Sequence, residues 1–213
     1  MVLRKNAHVA VVSLGGSVLG NEVELLPRAD LYVGVDSGAL HLVRFGLPVD
    51  IVVGDLDSLR GRLSSSVSPL WIMTHWDKDT TDSDIALDTL HRSGVSRIYM
   101  IGLAGFELDH VLGNLTLFRR WYRHFDELVG IVGQQKFFRF EGEINLRVNP
   151  GTVFSIVPDA PRVKLTIKGA KWEVEGAQWT SVDVPPISNI AVDNLVYVRV
   201  ELGGAFIFVG RQT

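Results

Sequence analysis

The sequence contains no cysteine. Disulfide staples, zinc–thiolate centres and thiol nucleophiles are therefore excluded, and an apolar core has to hold the fold. No stretch approaches the roughly 18 apolar residues that a membrane span needs. The N-terminal MVLRKNAHVAVVSLGG carries too short an apolar run for a signal peptide. Charge of one sign is also lacking: 21 basic against 24 acidic residues leave a formal net charge of -3. That points away from nucleic acid and from an anionic membrane surface as partners. Repeats and low-complexity tracts are missing too. What is present is a chain of 213 residues, 46% of them apolar, long enough for one large domain or two small ones. It is expected to be soluble and cytoplasmic.

The first two-thirds alternate between strand and helix signals. HVAVVSL (8–14), LYVGV (31–35), DIVVG (50–54), LWIMT (70–74) and IYMIGL (98–103) read as buried parallel strands. TDSDIALDTLHRSG (81–94) reads as a helix with Thr81 and Asp82 as capping candidates and Gly94 as its stop. DHVLGNLTLFRRWYRHF (109–125) reads as another, with Arg119, Arg120 and Arg123 near its end complementing the helix dipole. Such alternation predicts an α/β class with a doubly wound, mostly parallel sheet. From about Gly142 the texture changes. GTVFSIVP, VKLTIKG, KWEVEG, VYVRVEL and AFIFVG are short β-rich stretches divided by Gly, Pro and Asn. They predict an antiparallel β-sandwich, so the expected domains are 1–142 and 143–213.

The acids fall at particular places in this scheme. Asp36 follows the run 31–35, and Asp55 and Asp57 follow 50–54. Asp77, Asp79 and Asp82 follow 70–74, and Asp109 follows the run that ends near Leu103. These are the C-terminal ends of strands, where open α/β sheets bind ligands. Carboxylates gathered at one edge raise each other's pKa or demand a cation. Mg²⁺ suits oxygen donors of this kind, because it takes one or two carboxylates, several waters and substrate phosphates. Taken singly, each acid has a bland reading, as turn chemistry or as a helix cap. Their convergence from four strand ends favours metal-assisted chemistry on a phosphate. GGSVLG (15–20) does not compete as a phosphate loop: Asn21-Glu22 stands where a P-loop needs Lys-Ser/Thr.

Several of these stretches, in order, resemble the thiamine pyrophosphokinase family. VDSGALHL (35–42) is similar to its Asp-Gly-Gly-Ala element and GDLDSL (54–59) to its Gly-Asp-x-Asp-Ser. DKDTTD (77–82) is similar to Asp-x-Asp-x-Thr-Asp, and GFELDHVLGN (105–114) to Gly-Gly-Arg-x-Asp-His with a later Asn. GAKW (169–172) and ISN (187–189) stand for the C-terminal Lys-Trp and Ser-Asn. The resemblance implies transfer of a diphosphate from ATP to the hydroxyl of thiamine, with an N-terminal nucleotide- and metal-binding catalytic domain and a C-terminal thiamine-binding sandwich. It implies a homodimer with the thiamine site between subunits. Asp55, Asp57 and Asp82 would hold Mg²⁺ and the phosphates, with Asp36 and Lys78 near them. Asp79, Thr81, Asp109, His110 and Asn114 would line the nucleotide or thiamine side, and Asp79 or Asp109 would take the hydroxyl proton. Trp172, Ser188 and Asn189 would belong to the thiamine end, where an aromatic face suits the cationic thiazolium; Phe206 and Phe208 are further candidates for that face.

Departures from the pattern matter as well. Ser37 replaces a Gly of the first element, Leu40 an expected Asn, and Ile85 a Lys. Glu107 stands where the family has Arg. At an effective dielectric near 20, one charge reversal at about 4 Å changes a pairwise term by roughly 8 kcal/mol. A Glu107 facing the phosphates would need compensation, for which Lys78 and Arg44 are candidates. The alternatives are a pyrophosphokinase for another alcohol, such as a hydroxymethyl pterin, and a non-catalytic thiamine- or nucleotide-binding relative.

Overall fold

Five consecutive buried residues, VAVVS, make β1 (Val9–Ser13). A strand can be apolar on both faces only if both faces are covered, and that is the signature of a parallel sheet. The computed structural model describes residues 7–54, 59, 68–74, 80–105, 107–180 and 182–212. Beside β1 lie β2 (Leu31–Val35), β3 (Ile51–Gly54) and β4 (Leu70–Met73) on one side. On the other lie β5 (Arg97–Ile101) and β6 (Glu127–Val132). The spatial order is β6-β5-β1-β2-β3-β4, and every pairing in it is parallel. Between the strands come α1 (Gly20–Glu24), α2 (Gly38–Arg44), α3 (Asp82–Arg92) and α4 (Leu108–Trp121).

The chain steps outward from β1 to β4 and then returns to the other side of β1 for β5. Right-handed crossovers place α1 and α2 on one face and α3 and α4 on the other. The direction of winding reverses between β1 and β5, and that reversal creates a crevice at the strands' C-terminal ends. Three backbone bonds continue the β1–β5 register past the sheet: Leu14 N–H to Ile101 O, Gly16 N–H to Gly102 O and Ser17 N–H to Ala104 O. Gly16 is required there, because a Cβ would collide with the carbonyls of Gly102 and Ala104.

On the α3–α4 face a buried carboxylate does the joining. Asp84 accepts from Trp121 Nε1 at 2.8 Å and sits 3.3 Å from Arg120 Nη1. Its backbone N–H donates to the Thr81 hydroxyl at 3.1 Å, capping α3. On the opposite face Glu22 is buried at 3% exposure, and Oε1 accepts the Gly133 N–H at 2.7 Å. Its Oε2 finds no hydrogen-bond donor among the described residues. Burial pushes the Glu22 carboxyl above its ordinary 4.5, against the lowering effect of its bonds to the Gly133 and Leu19 backbone. A raised folded-state pKa means the native state binds the proton more tightly. Stability is therefore lost as pH climbs from about 4.5 through the raised value. Glu22→Gln, which keeps an acceptor for Gly133, is expected to gain thermal stability over the native chain progressively across that window. Melting curves at pH 4 to 8 check it; a gap that does not grow with pH contradicts it.

The chain divides between Gly133 and Gln134, earlier than the boundary expected at 142/143. The reason is β7 (Gln135–Arg147), a single strand that straddles residue 142 and pairs along its length with β12 (Leu195–Gln212). The second unit is antiparallel. β12 bends at Leu202 and Gly203, which take φ of 63° and 116°. Before the bend β12 pairs with β9 (Arg162–Lys168), which pairs with β10 (Val174–Thr180). After it β12 pairs with β8 (Thr152–Pro158), which pairs with β11 (Asn189–Ile190). One strand thus serves two sheets, with Phe154, Ile156, Val163, Leu165, Ile167, Val198 and Ile207 among the residues packed between them. The expected fold class, a parallel α/β unit followed by an antiparallel sandwich, is the one observed. VYVRVEL and AFIFVG, expected as two strands, are the two halves of β12.

Candidate active site

The crevice at the β1/β5 reversal is a cleft of about 360 Å³. It is lined by the loop after β1 (Leu14, Gly15, Gly16), the end of β2 (Val35, Asp36, Ser37) and the loop after β5 (Gly102–Gly105). Ser83 of α3 closes one side, and Glu107, His110 and Asn114 at the start of α4 close another. Its size falls in the range of small-molecule sites.

Asp36 is the residue most shaped by its position. Its φ is 47°, a left-handed conformation that Asp tolerates better than most side chains. Its N–H donates to the Val53 carbonyl at 2.9 Å, which ties the end of β2 to β3. Gly54 ends β3 with φ 151°, and a Cβ on it would collide with Oδ1 of Asp36. The Asp36 carboxylate therefore lies directly over the residue that precedes Asp55. Asp55 and Asp57 themselves lie outside the described residues, as do Lys78 and Asp79. Leu59, just past them, is 3% exposed and packs with Ala39 and Val52. The residues on either side of the Asp-x-Asp-Ser segment, Gly54 and Leu59, are both buried.

Asp82 is the first residue of α3, half-buried, beside the cleft-lining Ser83. Thr81 caps that helix: its hydroxyl accepts from Asp84 N–H and lies 3.2 Å from Asp84 Oδ2. Asn114 donates from Nδ2 to the Leu103 carbonyl at 2.8 Å, which fixes α4 against the loop after β5. His110 Nε2 lies 3.0 Å from Glu107 Oε2, and Asp109 Oδ1 accepts the His110 N–H. The partner of Glu107 is therefore its own helix neighbour. Arg44 stacks over Phe45 instead, 5.1 Å from the ring centroid. Glu107, Asp109 and His110 place ligand atoms within 4.8 Å of one another, a grouping that these internal bonds explain without an ion.

In the second unit Trp172, Ser188 and Asn189 come together. Asn189 is buried and brackets Trp172, accepting its N–H at 3.1 Å and donating to its carbonyl at 2.7 Å. Ser188 holds φ 57° and donates its N–H to Ser155 Oγ. Trp172 is 55% exposed, with Lys171 Nζ 4.8 Å from its ring centroid, so it is no core aromatic. Phe206 is, being 3% exposed and packed near Phe137 and Phe208. Phe208 stacks on Phe137 at 5.2 Å. Two further residues went unnoticed in the sequence. Ser83 followed a capping signal that drew attention to its neighbours. His41 sits in α2, in a stretch quoted only as a motif. Burial pushes its imidazole below the ordinary 6.5, partly offset by a hydrogen bond to the Gly16 backbone.

Donor chemistry at Asp36 suits a hard divalent cation: carboxylate oxygens, laid against Gly54. Comparison with known proteins agrees with this layout. The catalytic-domain model of thiamin pyrophosphokinase matches residues 23–129, half of the chain. The chain belongs to the thiamin pyrophosphokinase family. The match runs from α1 into β6 and so includes most of the cleft. A thiamine pyrophosphokinase of Bacillus subtilis (strain 168) is 29% identical over 167 residues, covering 75% of this chain and 77% of the relative. Among solved structures, thiamine pyrophosphokinase from Bacillus subtilis superposes with a TM-score of 0.83 at 23% identity, over 97% of this chain and all of that one. The Geobacillus thermodenitrificans protein gives 0.81 at 20% identity, over 96% and 98% of the two chains. That of Candida albicans gives 0.80 at 12%, over 96% and 89%. These structures extend the likeness of fold through the second unit, which the family model does not reach. Family membership makes the chain a diphosphotransferase acting on small molecules. No helix among the described residues is long and apolar enough to cross a membrane.

Proposed function

We propose that this chain moves a diphosphate from ATP to the hydroxyl of thiamine, giving thiamine diphosphate and AMP. The acceptor oxygen forms a bond to the β-phosphorus, the bond from that phosphorus to the α,β-bridging oxygen breaks, and AMP departs. The hydroxyl proton goes to a carboxylate, Asp79 or Asp109. Asp55, Asp57 and Asp82, with Asp36 beside them, would hold Mg²⁺. Bound there, the ion supplies charge neutralisation for the polyphosphate. Lys78 would add positive charge for the polyphosphate. Thr81 and Asn114 shape the cleft through α3 and α4, with His110 at its rim. The protein's own part is positioning: a cleft at the winding reversal, walls fixed by backbone bonds, and acids aimed at one end. We assign thiamine to Trp172, Ser188 and Asn189, an exposed indole on an amide-braced turn.

The observation that most supports this reading is the Asp36 carboxylate over Gly54, the residue that precedes Asp55 in the chain, at a ligand-binding edge. Exposed Val182, Val184 and Ile187, at 89%, 81% and 57%, suit burial by a second copy, and we assign a homodimer in the cytoplasm. Sedimentation as a monomer at micromolar concentration would contradict the dimer. The activity is tested with ATP, Mg²⁺ and thiamine, following nucleotide and thiamine products together. Equal amounts of AMP and thiamine diphosphate are expected, with loss of both on chelation of the metal. ADP as the product, or turnover that persists in excess chelator, overturns the reading. AMP formed with a hydroxymethyl pterin but not with thiamine reassigns the acceptor.

A further inference from the structure

We infer that His41 is a positioning residue: from α2 its imidazole grips the Gly16 carbonyl and so sets the glycine wall of the cleft in the shape that receives the nucleotide. The inference rests on the nucleotide reading above and adds a residue that acts through another. His41 is half-buried in α2, one turn after Gly38. Its hydrogen bond to the Gly16 backbone raises the imidazole's affinity for a proton. The ring is therefore the donor and the Gly16 carbonyl the acceptor. Burial outweighs that bond and keeps the pKa below the ordinary 6.5. At neutral pH the ring thus carries one N–H, and the Gly16 carbonyl fixes which nitrogen bears it.

Gly15 and Gly16 both line the cleft, and two consecutive glycines have little conformational preference of their own. Bonds from two sides supply it. A trans peptide points its C=O and N–H in opposite directions. In the Gly16–Ser17 peptide the N–H donates to Ala104 O at 2.7 Å, in the loop after β5, and the C=O is turned the other way, to His41. That one peptide plane is clamped between the loop after β5 and α2. The plane before it is held from the β5 side, where Gly16 N–H donates to Gly102 O at 3.0 Å. Elsewhere α2 meets this segment by close contact. A Cβ on Gly38 would collide with the Ser13 carbonyl, and one on Gly15 would lie 2.7 Å from Ser37 Oγ. Contacts of that kind exclude positions, whereas the His41 bond fixes a direction. With the bond in place the wall is ordered before the nucleotide arrives; without it, binding has to order the glycines first.

Calorimetric titration with Mg²⁺-ATP in the absence of thiamine, together with amide hydrogen exchange of the ligand-free protein, tests this. His41→Phe keeps a ring and removes the donor. It should weaken Mg²⁺-ATP about tenfold, the cost of ordering roughly one residue on binding. Exchange of the Gly16 and Ser17 amides should accelerate at least about tenfold, with Val11 and Val12 unchanged. In turnover, KM for Mg²⁺-ATP should rise by a similar factor, while kcat and KM for thiamine stay within about twofold, because the bound nucleotide orders the wall again. His41→Asn and His41→Gln carry an amide N–H near the places of Nδ1 and Nε2, and one of them should recover most of the affinity. Unchanged Mg²⁺-ATP affinity in His41→Phe, or no recovery by either amide, overturns the proposal. So does faster exchange throughout β1 with an equal loss of thiamine affinity, which would make His41 a residue of the core alone. A native chain that binds no Mg²⁺-ATP overturns the nucleotide reading and this role with it, whereas unchanged exchange at Gly16 and Ser17 overturns the His41 tether alone.

Discussion

Asp55→Asn is expected to lower thiamine diphosphate formation by about a thousandfold without lowering the melting temperature. Asn preserves the size of the side chain and one oxygen but removes the negative charge that a divalent cation requires. The setting makes that charge matter. Asp55 follows Gly54, and the Asp36 carboxylate lies where a Gly54 side chain would be. Asp57 is two residues on and Asp82 opens α3. Without a cation, such acids destabilise one another. Removing one charge therefore relieves repulsion in the metal-free protein, and its melting temperature should hold or rise slightly. In Mg²⁺ the native chain should gain stability and the variant much less. Turnover within tenfold of the native rate would remove Asp55 from the metal site.

An acid at the other end of the same strand shows why position, not charge count, carries this expectation. Asp50 precedes β3, and its Oδ2 accepts the Tyr32 N–H at 2.9 Å. Asp30 precedes β2, and its Oδ2 accepts the N–H groups of His8 and Val9. Those bonds hold the Asp30 carboxyl below its ordinary 3.8. Such acids at the N-terminal ends of strands satisfy backbone donors and hold the sheet's lower edge together. Asp36, at the C-terminal end of β2, lines the crevice. One sheet thus uses the same side chain for two purposes, sorted by strand polarity.

The strands were legible in the sequence because period and punctuation are local signals. Buried runs such as VAVVS and IVVG announce a parallel sheet. What could not be read depends on partners far along the chain. Asp84 looks like one more acid in a capped helix start, yet its function is to receive Trp121 Nε1, thirty-seven positions away. The start of the second unit was misplaced because Gly142 looks like punctuation. It is instead a φ 80° residue inside β7, opposite Val200 and next to the register shift in β12. The division of β12 into two expected strands has the same cause, since Gly203-Gly204 permits a bend without ending the strand. Glu107 stands out in the sequence as an acid where the family has Arg, but its pairing with His110 one helical turn on is set by side-chain geometry.

Gly54→Ala should destabilise the protein by about 3 kcal/mol and lower turnover at least about a hundredfold. Two terms add. At φ 151° an L side chain is strained wherever it points, a cost of about 1–3 kcal/mol. The new methyl group also occupies the place of Asp36 Oδ1. The backbone has no room to yield: Asp36 N–H is bonded to Val53 O, Thr74 N–H to Gly54 O, and Gly54 pairs with Met73 of β4. The carboxylate is the part that can move, and moving it disperses the acids the cation needs. Gly46→Ala separates the two terms. Gly46 also has positive φ, 68°, but among the described residues nothing lies within 4 Å of where its Cβ would be. That variant should lose only about 1 kcal/mol and keep its activity. Adding Asp36→Ala to Gly54→Ala should restore part of the stability and none of the turnover. Equal losses in the two glycine variants would mean that backbone strain alone is at work and that Asp36 does not lie over Gly54.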